Sequence, residues 1–228
     1  MCDIEPTVYV VDDDVSVRES LRLLIESAGW EAETFASGEE FLARKPLPAP
    51  CCLVLDLQLP ELNGLDVQKL VADRDDMPII FITGHSDVPA IVRAMKAGAV
   101  EFLTKPVVGD LLVSAIADAI HSSRQKLTQM LERQRLQAFY ATLSRREREV
   151  MALVVSGRLN KQVAGELGIS EITVKAHRGR VMQKMNARSL PDLVMIAAKC
   201  DAHRVERVPM PVDQSIPSSN RLATTLAV

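Results

Sequence analysis

Short β-branched, apolar runs alternate with amphipathic stretches of helical length through the first 120 residues, and this alternation constrains the fold more than any other feature. The runs at 7–11, 31–35, 52–55, 79–83 and 101–104 are predicted strands. They are too continuously apolar for half-exposed strands, which favours a parallel sheet covered on both faces. The stretches between them complete five βα units. Their helix boundaries carry signals of their own: Ser16 with Glu19 and Ser37 with Glu40 read as capping boxes, and Gly29 and Gly98 as C-terminal stops.

A doubly wound sheet of this kind places its site beyond the carboxyl ends of its strands, where the strand order reverses. The residues ending strands one, three, four and five are Asp12 and Asp13, Asp56, Thr83 and Lys105. Carboxylates from two strand ends make a hard oxygen site suited to Mg²⁺. A hydroxyl and an ammonium opposite them suit the phosphate oxygens that a metal leaves free. Any one of these residues alone reads as a solvated loop position; five at corresponding strand ends do not.

The remaining sequence is different in kind. Residues 121–141 lose β-branched character and form a helical linker. Positions 120, 124, 127, 131, 134 and 138 follow a 3.5-residue spacing with partial apolar character, which fits a helix that pairs with its twin and a single solvated helix equally. Residues 142–203 hold four short helices. Ser144 with Glu147 opens the first and Gly157 ends it, Asn160 opens the second and Gly168 ends it, Ser170 caps the third through Met185, and Ser189 with Pro191 opens the fourth. The tight turn at Gly168 between the second and third is a helix-turn-helix signature. Residues 204–228 have three prolines, little charge and no period, and read as a disordered tail.

Net charge divides along the same boundaries. The chain totals −3, but residues 1–119 carry 9 basic against 21 acidic residues, whereas 142–208 carry 13 against 7. A basic module attached to an acidic one points to nucleic acid as a partner of the second. No apolar run approaches the roughly 18 residues of a membrane span, which excludes an integral helical membrane protein. Cys2, Cys51, Cys52 and Cys200 lack metal-ligand spacing, and neither a signal region nor a lipidation glycine is present, so a cytoplasmic chain is expected.

On both halves the motifs resemble a known family. VYVVDDD, LVLDLQLP-ELNG, IIFITGH and EFLTKP look like the motifs of the response-regulator receiver domain, and LSRREREVMALVVSGRLNKQVAGELGISEITVKAHRGRVMQKM resembles the LuxR-type helix-turn-helix. The combination is most similar to the FixJ subfamily. The resemblance implies a five-stranded flavodoxin-like α/β receiver over 1–120, joined by the helical linker to an all-α DNA-binding domain.

It also implies roles. Asp56 would accept a phosphoryl group from a sensor histidine kinase, Asp13 and Asp56 would ligate Mg²⁺ with the backbone carbonyl of Gln58, and Asp12 would act mainly through water. Lys105 would pair with the acyl phosphate and Thr83 would hydrogen-bond to it. Thr83 drawn inward would vacate space for Phe102, which otherwise reads as a plain core aromatic. The face of helix four and strand five would then promote a homodimer controlling promoter DNA, with RNA polymerase as a further partner. Val107 stands where the family often has an aromatic, and Lys105-Pro106 is cis in many relatives.

In the third helix of the second module, Ile172, Val174, Val181 and Met185 are expected to face the core, and Thr173, Lys175, Arg178 and Lys184 to project outward. Lys175 and Arg178 are the candidates for base edges, with Thr173, Lys161 and Lys184 for phosphates. The family often dimerises through the fourth helix, around Leu193. His85 is a poor Mg²⁺ ligand beside oxygen donors, though it and Gln58 lie where they could affect hydrolysis of a phosphate. The rival class is a Mg²⁺-dependent aspartyl-phosphate phosphohydrolase. Such enzymes place a second Asp two positions after the nucleophile, where this chain has Gln58. A protein- or RNA-binding module is the third alternative.

Overall fold

The computed structural model describes residues 5–84 and 88–206, with side chains as far as residue 200. The expectations for Cys2, His85 and the tail lie outside that range. The described residues form two compact units that divide between residues 134 and 135.

In the first unit, β1 (Thr7–Val11), β2 (Glu31–Phe35), β3 (Cys51–Asp56), β4 (Ile79–Thr83) and β5 (Glu101–Thr104) form one parallel sheet in the order β2-β1-β3-β4-β5. Four strands match the sequence expectation residue for residue, and β3 is longer by one residue at each end. Between them lie α1 (Val15–Ser27), α2 (Gly38–Ala43), α3 (Gly64–Leu70) and α4 (Val88–Lys96), followed by α5 (Gly109–Ala141).

The apolar strands are continuous because both faces are covered. Alternate residues Tyr9, Val11, Leu53, Leu55 and Phe81 join one buried cluster with Phe41 of α2 and Val67 of α3. Their neighbours Val8, Val10, Cys52, Val54, Ile80 and Ile82 join the other with Leu21 and Ile25 of α1 and Leu112 and Ile116 of α5. The period of two distributes one strand sequence between two cores.

Asp14, rather than Ser16, caps α1: its side chain accepts a hydrogen bond from the Ser16 amide. Ser37 caps α2 as expected. The linker is not a separate element but the second half of α5, a continuous helix of 33 residues. Its stretch within the first unit is pinned at Ser123, whose fully buried hydroxyl accepts from the Cys51 amide and donates to the Asp76 carbonyl. No helix among the described residues is long and apolar enough to cross a membrane.

The second unit holds α6 (Arg145–Val155), α7 (Asn160–Leu167), α8 (Glu171–Lys184) and α9 (Leu190–Glu206). Ser144 and Glu147 form the expected capping box and Ser170 caps α8. Gly168 takes a left-handed conformation, φ 65°, that lets the chain turn sharply from α7 into α8. The core gathers Val150, Val154, Val163, Val174, Val181, Met185 and Leu193. One expectation fails here. Ile172 is 79% exposed, because residue 172 lies opposite Val174, Val181 and Met185 on the helix circumference. Leu193 belongs to the core, while its neighbours Val194 and Met195 are exposed.

Candidate functional site

Reversal of strand order between β1 and β3 opens a crevice at the carboxyl edge of the sheet, and the five strand-ending residues line up around it. Asp12 is fully buried and Asp56 and Thr83 are buried, whereas Asp13 and Gln58 are exposed at the mouth. Ligand oxygens of Asp12, Asp13 and Asp56 all lie within 4.8 Å of one another. Three carboxylates at that separation repel one another unless a cation sits among them.

Lys105 supplies one such cation. Its ammonium is 2.6 Å from Oδ2 of Asp56 and 2.6 Å from Oδ2 of Asp12. Burial alone would lower the pKa of this lysine, but its hydrogen bonds to Asp12 and Asp56 outweigh that effect and hold it above the usual lysine value. Burial pushes the Asp12 carboxyl up, partly offset by the Lys105 hydrogen bond and the Asp14 amide.

The other carboxylate oxygens are satisfied locally. Oδ1 of Asp12 accepts from the Asp14 amide at 3.0 Å, and Oδ1 of Asp56 accepts from the Gln58 amide at 2.9 Å. The Lys105 amide bonds to the Thr83 carbonyl at 2.8 Å, which ties the lysine to the end of β4, and the Lys105-Pro106 peptide is cis. The oxygen-only donor set fits a hard divalent cation such as Mg²⁺.

Gly64 at the start of α3 allows this end of β3 to form. A Cβ there would collide with the Asp56 carbonyl oxygen and lie 3.0 Å from both Leu57 Cα and the Phe81 ring. Sequence reading passed over this glycine, whose requirement comes from a tertiary approach and not a turn. It also missed a cavity of about 290 Å³ beside the site, lined by Val17, Leu21 and Leu24 of α1 with Lys105, Pro106 and Val107. Phe102 is half-buried against the Phe81 cluster and pairs with Phe81 across β5 and β4.

In the second unit the residues expected to face nucleic acid divide into two groups. Lys161 and Lys175 are exposed. The other three have partners inside the domain. Arg178 donates to Oδ1 of Asn160 at 3.2 Å, and the Thr173 hydroxyl lies 2.8 Å from that of Ser170. Lys184 bonds Glu147 at 2.6 Å and the Thr142 carbonyl at 3.1 Å. Its hydrogen bond to Glu147, with the Ser144 amide, holds that buried carboxyl down to about 2. Arg180, exposed on the outer side of α8, was not singled out from sequence.

Comparison with known proteins matches residues 8–117 to the response regulator receiver domain and residues 141–197 to the bacterial regulatory proteins of the luxR family. Nodulation protein W of Bradyrhizobium diazoefficiens is 48% identical over 191 residues, covering 83% of this chain and 84% of that protein. The transcriptional regulatory protein FixJ of the same organism is 40% identical over 193 residues, 84% of this chain and 94% of FixJ. Among solved structures, the response regulator StyR is 46% identical with a TM-score of 0.79, covering 86% of this chain and all of StyR. Full-length FixJ from B. japonicum aligns over 86% of this chain and 97% of its own, at 39% identity and a TM-score of 0.51.

Proposed function

The chain belongs to the response regulators that join a receiver domain to a LuxR-type DNA-binding domain, and from that membership we propose a specific chemistry for its site. Asp56 is the phosphoryl acceptor. A carboxylate oxygen of Asp56 attacks the phosphorus of a phosphohistidine on a sensor kinase, the P–N bond breaks, and the imidazole leaves with the electron pair. Asp12, Asp13 and Asp56, with the Gln58 carbonyl, hold Mg²⁺, which when bound offsets charge on the transferring group. Lys105 pairs with the resulting acyl phosphate and Thr83 donates to it. The observation that carries this reading is the Lys105 ammonium, 2.6 Å from carboxylates on two different strand ends.

The transferred group adds roughly one negative charge at a confined site. Thr83 drawn toward it leaves room for Phe102, and the surface of α4 and β5 changes with that movement. Val88, Val92, Met95 and Val100 are exposed there and supply apolar area for a homodimer. The dimer presents two helix-turn-helix units to a two-half-site promoter and to RNA polymerase. Lys175 and Arg178 contact base edges, with Lys161 and Thr173 at flanking phosphates. Lys184 has its charge matched by Glu147 and supports the fold of the domain first.

The protein acts as a transcription regulator and not as a turnover enzyme. The phosphohydrolase alternative lacks a carboxylate two residues beyond Asp56, where the exposed side chain is Gln58. Phosphotransfer from a sensor kinase or an acyl phosphate, followed by sizing and binding of promoter fragments, tests the proposal. Wild type is expected to take up one phosphoryl group with Mg²⁺, dimerise and bind DNA more tightly, and Asp56→Asn to do none of these. Labelling of Asp56→Asn at the wild-type rate would overturn the assignment.

A further inference from the structure

The outward face of α8 carries residues that the fold does not need. Opposite the buried Val174, Val181 and Met185, the circumference reads Ile172, Ala176, Gly179 and Gln183, with Lys175 and Arg180 on its margins. Ile172 is 79% exposed at the second position of the helix. A β-branched residue there favours neither helix propensity nor the core. Gly179 is equally unexplained internally. It lies within the helix, where glycine is among the least favourable residues, and a Cβ built on it meets nothing within 4 Å.

Both features make sense if another surface closes on this face. An exposed branched aliphatic on this face offers a contact to an apolar partner, while Ala176 and Gly179 let the helix backbone come close to it. The basic margins and the position of α8 as the second helix of the helix-turn-helix identify that surface as the DNA major groove, whose apolar group is the thymine C5-methyl. Glu171 at the first position is matched by the positive end of the helix and does not oppose such an approach.

We infer that Ile172 is a specificity-determining residue that reads a thymine methyl in each half-site, with Gly179 allowing α8 to seat deeply enough for the contact. This deepens the DNA-binding reading and rests on it. The Lys175 side chain, on the same margin one turn along, then reaches the neighbouring base or phosphate, so the half-site combines one methyl contact with one charged contact.

The test starts with the full-length chain, Mg²⁺ and an acyl phosphate donor, and selects a duplex from a randomised pool. Each thymine of the selected site is then replaced in turn by deoxyuridine, which removes only the methyl. One position per half-site is expected to weaken wild-type binding about fourfold, the worth of one buried methyl, with Ile172→Ala insensitive at that position alone. Ile172→Ala should unfold at the wild-type temperature, since its side chain is exposed, and Gly179→Leu should weaken binding at every sequence. An identical deoxyuridine profile in wild type and Ile172→Ala, or no methyl-sensitive position, overturns the inference while leaving DNA binding intact. Failure of the wild-type chain to select any duplex would defeat the DNA-binding reading itself.

Discussion

The ammonium of Lys105 lies 2.6 Å from a carboxylate oxygen of Asp56, a residue 49 positions earlier in the chain. The same ammonium touches Asp12, so one lysine holds together the ends of β1, β3 and β5. It is the cation that allows buried carboxylates to coexist in the structure described.

Lys105→Met removes that cation and leaves Asp12 and Asp56 facing each other in a buried crevice. The variant is expected to lose about 2 kcal/mol of stability at neutral pH without divalent cation, in line with removing one partner of a largely buried pair. Added Mg²⁺ should then raise its melting temperature more than that of wild type. Thermal melts with and without Mg²⁺ check this, and equal shifts in the two proteins would contradict it.

Gly64→Ala tests the close approach of α3 to the end of β3. The methyl collides with the Asp56 carbonyl and with Leu57 Cα, both backbone, so neither can swing aside. A cost of about 2 kcal/mol follows from overpacking, with slower phosphoryl uptake because Asp56 itself must shift. Urea denaturation and labelling rates should change together.

Ser123→Ala deprives the Cys51 amide and the Asp76 carbonyl of their shared partner. A buried amide and a part-buried carbonyl left unpaired cost about 1–3 kcal/mol. Hydrogen exchange at the Cys51 amide should accelerate, and a protected amide in the variant would contradict the role given to Ser123.

Glu147 gives the second domain a dependence on acid. Its carboxyl is held to about 2 in the folded state by Lys184 and the Ser144 amide, below an unfolded value near 4.3. The stabilisation is therefore complete above the unfolded value and is lost as pH falls through the folded one. Lys184 is 37% exposed, which limits the contribution to about 1–2 kcal/mol. Glu147→Gln should be less stable than wild type at pH 7, and the gap should close between about pH 4 and pH 2. A gap that persists at pH 2 in urea melts would show that the loss is one of packing rather than charge.

The strands and the convergence of Asp12, Asp13, Asp56, Thr83 and Lys105 were legible in the sequence. Period-two burial and strand-end position are local properties, and a doubly wound sheet brings strand ends together by topology. The Ser144, Ser170 and Gly168 boundaries were legible for the same reason, because each is a short-range hydrogen-bond pattern.

Only the tertiary structure decided which charges are already engaged and which surfaces remain outward. Lys184 looks like a free basic residue until α6 brings Glu147 to it across 37 positions, and Arg178 until Asn160 is placed beside it. Ile172 reads as core by composition, and its exposure follows from where α6 and α7 cover α8. Gly64 is an unremarkable helix-start residue until the Asp56 carbonyl is set against it. Periodicity encodes which face of an element is apolar, but pairing and steric need depend on what a second element, distant in the chain, places there.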